Sequence, residues 1–209
     1  MEQPVLIKCN VYNDNRGTFA PLSLNYKGRG ELDKNWTQSN ISISDEKWTI
    51  RGLHFQNGEY AQSKLIKVIQ GSIIDFVVDL RFDSPDYLNV KFYDLNEGKP
   101  LELYVPKGFA HGFITREDNT IVQYLVDAPY SPENEGTLYW KELPTIKKTI
   151  EEYITDFDED EIVISDKDRE TYNMPELSPL VEELVVDMIK KYPNDNDLGK
   201  RIRSYFNPF

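Results

Sequence analysis

The chain has one cysteine and two histidines in 209 residues, and no run approaching 18 consecutive apolar residues. Cys9 alone cannot close an internal disulfide or build a cysteine-rich zinc site, so a reducing cytoplasm is the expected setting. With no such apolar run, no membrane-spanning helix and no membrane partner are expected. The opening MEQPVLIKCN lacks the basic and apolar regions of a secretory signal. Positive charge is also scarce: 24 Lys and Arg stand against 36 Asp and Glu, a formal net charge of −12. That balance argues against a nucleic-acid partner, because affinity there rests on neutralising phosphates. A small anionic ligand is still compatible, since a few local cations can hold one.

A hydrophobic fraction of 39% and an aromatic fraction of 12%, with 13 Tyr, indicate a packed fold with many half-buried strands. The length suits one domain, or one domain with an appendage, at about 150 residues per domain. From Val5 to Trp140 short extended runs alternate with turns. The runs are Trp48–Phe55, Ser63–Gln70, Ile73–Leu80, Leu88–Leu95, Leu101–Val105, Ala110–Thr115 and Thr120–Asp127. Asn57-Gly58, Gly71, Asp83-Ser84-Pro85, Asn96-Glu97-Gly98 and Pro106-Lys107-Gly108 punctuate them. IIDFVVDL is too apolar for a strand wetted on one face, so it belongs between two layers. The class is mainly β, an antiparallel sandwich or barrel with a jelly roll foremost.

Past Trp140 the composition changes. Thr145–Asp168 is rich in carboxylates and reads as a solvated, partly irregular surface stretch. After Pro175, ELSPLVEELVVDMIKKY carries apolar residues at helical spacing, acidic residues early and Lys190 and Lys191 late, as a helix dipole favours. A second short helix is expected near Asp195–Phe206. The chain therefore divides into a β domain, 1–168, and a C-terminal helical extension, 169–209, that caps the sheet or a subunit interface.

Both histidines stand in unusual settings. His54 lies in RGLHFQ beside a glycine inside a strand-like run, a mark of a bulge or a close approach. His111 lies in VPKGFAHGF, flanked by Pro and Gly. Either taken alone reads as a satisfied structural histidine. Lys64 alternates onto the same strand face as Ile66 and Val68, and a Lys there is costly unless paired or used. A regular strand places Arg51 and His54 on opposite faces; both face one pocket only if the chain bulges near Gly52. Two cations and a histidine suit an anionic ligand. His54, Gln56, Glu59 and His111 also follow a metal-binding jelly-roll pattern loosely. The neutral Gln56 amide is a poor ligand for a divalent metal, however, and the nearby Lys and Arg repel a cation.

Taken in order, NDNRGTF, QSNIS, RGLHFQ, AQSKLIKVIQGSIIDFVVDLR, VPKGFAHGF, the Tyr of VQYLVD and SDKD make the chain resemble the dTDP-4-dehydrorhamnose 3,5-epimerases. The resemblance implies a cupin jelly roll (a double-stranded β-helix), a nucleotide-sugar substrate, no cofactor, no metal and a homodimer. It also implies a product that feeds synthesis of a surface polysaccharide or glycoconjugate. His54 matches the family's general base and Asp168 the carboxylate that orients it. Tyr124 matches the acid across the sugar, and Lys64 a residue that contacts the substrate or its phosphates, a cation that would stabilise an enolate. Arg51 and His111 match residues that contact the substrate or its phosphates. Arg16, Gln38, Asn40, Glu135 and Lys167 match nucleotide- or sugar-contacting positions, and Tyr130 an aromatic that stacks on the base.

That set of residues has a chemical logic. A 4-keto group acidifies the protons on C3 and C5, and the resulting carbanion spreads onto oxygen as an enolate. A base near neutral pKa removes the proton, an acid on the other face returns one, and a cation holds the oxyanion. The sequence departs from the family pattern at Pro21, where a Glu is usual, and at Ser39, Ile41 and Ile43, where polar and basic residues are common. These positions lie at the nucleotide end of the site and leave the nucleotide open. A differently substituted sugar and inversion at C3 or C5 alone also stay open. Three further readings remain: a 3,4-ketoisomerase, a metal-dependent cupin using His54, Glu59 and His111, and a non-catalytic sugar-nucleotide-binding cupin.

Overall fold

The computed structural model of the chain describes residues 1–9, 12–14, 17–19, 30–154 and 159–174. Twelve strands occur among them. They are β1 (Val5–Lys8), β2 (Tyr12–Asp14), β3 (Gly17–Phe19), β4 (Gln38–Ser44), β5 (Ile50–Gln56), β6 (Lys64–Gln70), β7 (Ser72–Asp79), β8 (Val90–Asn96), β9 (Leu101–Val105), β10 (Phe109–Thr115), β11 (Thr120–Val126) and β12 (Glu135–Thr137). One helix, α1, covers Pro144–Tyr153. The first sheet runs β1-β9-β6-β11-β4 and the second β12-β5-β10-β7-β8, with β2 and β3 forming a separate pair. Every strand pairing is antiparallel. This is the two-layer β architecture expected for a cupin.

The strand runs read from the sequence lie within a residue or two of β5 to β11. Strand side chains alternate faces, and here both faces of the second sheet are covered. Ile73, Val77, Phe109 and Phe113 point inward against Ile66, Val68, Leu103, Val105 and Val122 of the first sheet, making the inter-sheet core. Ile74, Phe76 and Val78 point the other way, into a second core closed by Leu138, Trp140 and α1. IIDFVVDL therefore lies between layers, and all eight residues of β7 are buried.

Two parts of the chain differ from expectation. The carboxylate-rich stretch after Thr145 is not all irregular surface. Ile146, Ile150 and Ile154, four residues apart, form one buried stripe against the second core, while the carboxylates of α1 stay in water. Its density of charge masked that stripe. The strand β4, like β1, β2, β3 and β12, has no counterpart among the runs read from the sequence. Its alternation is inverted: Ile41 and Ile43 are 66% and 58% exposed, while the polar Asn40, Ser42 and Ser44 share the more covered face. The expected C-terminal helices, with nearly all of the 169–209 extension, lie outside the described residues. No helix among those described is long and apolar enough to cross a membrane.

Candidate active site

A bulge builds the site. On β10, His111 pairs with His54 and Phe113 with Arg51, so Gly52 and Leu53 together oppose the single Gly112. The extra residue turns Leu53 into the outer core and lets Arg51 and His54 line the same cavity. Glycine is required at this point. Gly52 has φ +96°, and a Cβ there would stand 2.7 Å from the His111 carbonyl oxygen. Gly52→Ala is expected to lower the unfolding free energy by more than about 2 kcal/mol, seen as a lower denaturant midpoint. An unchanged midpoint would mean that the bulge is not needed.

A cavity of about 440 Å³ opens between the sheets, lined by Arg51, His54, Lys64, His111, Tyr124 and Asp168 among others. A smaller one of about 180 Å³ adjoins it and shares His54, Lys64 and Tyr124. These three side chains therefore stand where the two compartments meet. His54 Nε2 lies 2.7 Å from Asp168 Oδ1, and Asp168 Oδ2 accepts the Gly52 backbone N–H at 3.0 Å. Burial pulls the Asp168 carboxyl upward, but His54 and the Gly52 N–H outweigh it and hold the group below the ordinary carboxylate range. An ionised Asp168 accepts the Nε2 proton and leaves the lone pair on Nδ1. The Lys64 Nζ donates to the His54 main-chain carbonyl at 3.1 Å, which ties its amine to β5 in the same cavity. Burial lowers Lys64 to about 8, against the pull of Asp75 and Glu135. Tyr124, on β11 of the opposite sheet, is raised above the usual phenol value, chiefly by burial.

The remaining expected residues gather around this centre. Arg51 reaches across to the edge strand β4, donating to Ser44 Oγ at 3.1 Å and to the Ile43 carbonyl at 2.7 Å. Gln38 and Asn40, hydrogen-bonded to each other at 2.6 Å, line the smaller cavity. Tyr130 donates its hydroxyl to Glu135 at 2.7 Å, and Lys167 pairs with the same carboxylate. Lys167 lies 5.9 Å from the centre of the Tyr130 ring. Glu135 is lowered despite its burial because Lys167 and Tyr130 both bond to it. Arg16 lies outside the described residues, as does Pro21.

Gln56, read from the sequence only as a weak metal position, has another job. Its amide donates to the carbonyls of Tyr60 and Pro129 and accepts the Ser131 N–H at 2.7 Å, so it pins both sides of Tyr130. A buried Gln in the same strand as His54 was the available signal. Among the described residues no three His, Cys, Asp or Glu side chains are grouped to hold a metal ion. His111 pairs instead with Asp75, a buried residue that sequence reading missed.

Comparison with known proteins shows the family of the chain. The family model for dTDP-4-dehydrorhamnose 3,5-epimerase matches residues 1–176. A curated dTDP-4-dehydrorhamnose 3,5-epimerase from Sinorhizobium fredii is 38% identical over 136 residues, covering 65% of this chain and 70% of the relative. The crystal structure of the Bacillus anthracis dTDP-4-dehydrorhamnose 3,5-epimerase, with TDP and PPi bound, superposes with a TM-score of 0.69 at 38% identity. It covers 83% of this chain and 94% of that one. The Legionella pneumophila dTDP-6-deoxy-D-glucose-3,5-epimerase, in complex with dTDP-4-keto-L-rhamnose, gives 0.67 at 30% identity over 79% and 84% of the two chains.

Proposed function

Because the chain belongs to the dTDP-4-dehydrorhamnose 3,5-epimerases, a family of sugar-nucleotide isomerases, we propose that it inverts C3 and C5 of dTDP-4-dehydro-6-deoxyglucose, giving dTDP-4-dehydrorhamnose. One observation carries the mechanism: a histidine held by a buried carboxylate faces a tyrosine of the opposite sheet across one cavity. In this reading His54 Nδ1 removes the proton from C3, and separately from C5, while Asp168 stabilises the imidazolium that forms. Electrons move onto the 4-keto oxygen, where the Lys64 ammonium stabilises the oxyanion. Tyr124 then delivers a proton to the opposite face of the same carbon, and bulk solvent resets both groups. The ketone supplies the acidity, so this chemistry needs neither a metal nor a nicotinamide.

Arg51, the exposed cation at the rim of the cavity, is assigned to the diphosphate, with His111 and Lys167 beside the sugar and its phosphates. Tyr130, Gln38, Asn40 and Glu135 are assigned to the nucleotide and sugar, with Arg16 as a further contact. A homodimer is part of the same reading. Strands β1 and β4 end the first sheet, and each carries exposed apolar side chains, Val5 and Leu6 on one and Ile41 and Ile43 on the other.

Proton NMR in D2O with dTDP-4-keto-6-deoxyglucose tests the reaction. Deuterium should enter both C3 and C5 and accompany inversion at each. Entry at C3 alone or C5 alone would make the enzyme a monoepimerase, and transfer of the ketone to C3 would make it a ketoisomerase. No exchange by folded protein would sink the assignment to this substrate.

A further inference from the structure

The proposed mechanism leaves unused a buried charge bonded to a residue of the active cavity. Asp75 stands between Ile73 and Val77 on the inward face of β7 and is 0% exposed. Its Oδ2 lies 2.8 Å from His111 Nε2, and its Oδ1 has no hydrogen-bond partner among the described residues. A buried carboxylate with one oxygen unpartnered is costly, so an apolar residue in its place would favour the fold. It stands directly behind the active cavity, in contact with it through His111, which lines the larger compartment. His111 is the cross-strand partner of His54, so two histidines, each backed by an aspartate, stand side by side on neighbouring strands. We propose that Asp75 is a positioning residue for the isomerisation: its bond fixes which His111 nitrogen carries the proton, and its charge holds the Lys64 ammonium where the enolate oxygen forms. The proposal rests on the enolate reading above.

The groups around Lys64 give the effect its sign. Asp75 of β7 and Glu135 of β12 favour its charged form, whereas burial opposes it. His54 and Arg51 of β5, His111 of β10 and Tyr124 of β11 line the same space. Tyr93 of β8 feels the charge of Asp75. Burial holds the Asp75 carboxyl above the ordinary carboxylate range, and His111 and Lys64 offset this only in part. With Lys64 already near 8, removing the Asp75 charge lowers it further, so the ammonium is lost at lower pH.

Asp75→Asn keeps the shape and removes the charge. Its pH profile for deuterium incorporation should lose the alkaline limb about one pH unit earlier than wild type. Its kcat should fall by at least about tenfold at pH 8, while KM and calorimetric dTDP binding change by less than about threefold. An unmoved alkaline limb beside an active wild type overturns the proposal and shows that Asp75 is neutral during turnover. Equal losses of kcat and dTDP binding, with no pH shift, overturn it as well and make Asp75 structural. Should the variant not fold, 15N-labelled histidine spectra of wild type decide. His111 must appear with a slowly exchanging Nε2 proton, and a His111 protonated only on Nδ1 overturns the assignment. Failure of wild type to exchange deuterium is a distinct result, since it removes the reaction itself.

Discussion

His54→Ala is expected to lower deuterium incorporation at C3 and C5 together, by about a thousandfold or more. General bases contribute on the order of a hundred- to ten-thousandfold, and in the proposed mechanism both exchanges pass through one ring. His54 is the histidine whose Nε2 is bound by an ionised carboxylate with a second anchor, the Gly52 N–H. Asp168→Asn should cost less, about a hundredfold, because an amide can still accept a hydrogen bond but cannot stabilise the imidazolium. The variants are to be compared at matched protein fold by circular dichroism, since His54→Ala leaves the buried Asp168 with the Gly52 N–H as its remaining anchor from β5. If His54→Ala keeps a tenth or more of wild-type exchange at either carbon, the base for that carbon is elsewhere.

The strands could be read because turn residues mark their ends, and the cavity could not, because its parts meet through long-range contacts. His54 and Asp168 are 114 residues apart, and no local pattern joins them. They meet because the segment after α1 returns to β5. Val163 bridges Thr49, and a 3-10 turn at Asp166–Arg169 then directs Asp168 at the bulge. Read locally, Asp168 was one carboxylate in an acidic stretch; in the fold it is buried. The resemblance supplied that pairing, whereas the residues alone supplied the condition for Arg51 and His54 to share a pocket. That condition, a bulge at Gly52, is what the register shift on β10 provides. Asp75 and Gln56 were missed for opposite reasons. Asp75 sits in a run whose apolar neighbours mark only a buried strand, and Gln56 occupies a metal-ligand position of the jelly-roll pattern while its amide holds the backbone around Tyr130.

Tyr124→Phe should separate exchange from inversion. The proposed base, His54, stands on β5 and the Tyr124 phenol on β11, in opposite sheets, and both line the cavity. Burial first, and Glu135 in smaller measure, raise the Tyr124 hydroxyl, and the counter-pull of Arg51 is too weak to cancel them. The phenol is therefore protonated throughout the neutral range and is ready to donate. Without that hydroxyl the enolate still forms, but the sole proton donor left at the carbon is the imidazolium on the face it came from. Deuterium should then enter C3 and C5 within about tenfold of the wild-type rate, with the configuration retained, while inverted product falls by about a hundredfold or more. NMR reads both quantities in one sample, from the loss of the proton signals and from the coupling constants of the product. Equal losses of exchange and inversion would instead give Tyr124 a part in forming the enolate. Inversion at the wild-type rate would move the acid to another residue of the same cavity.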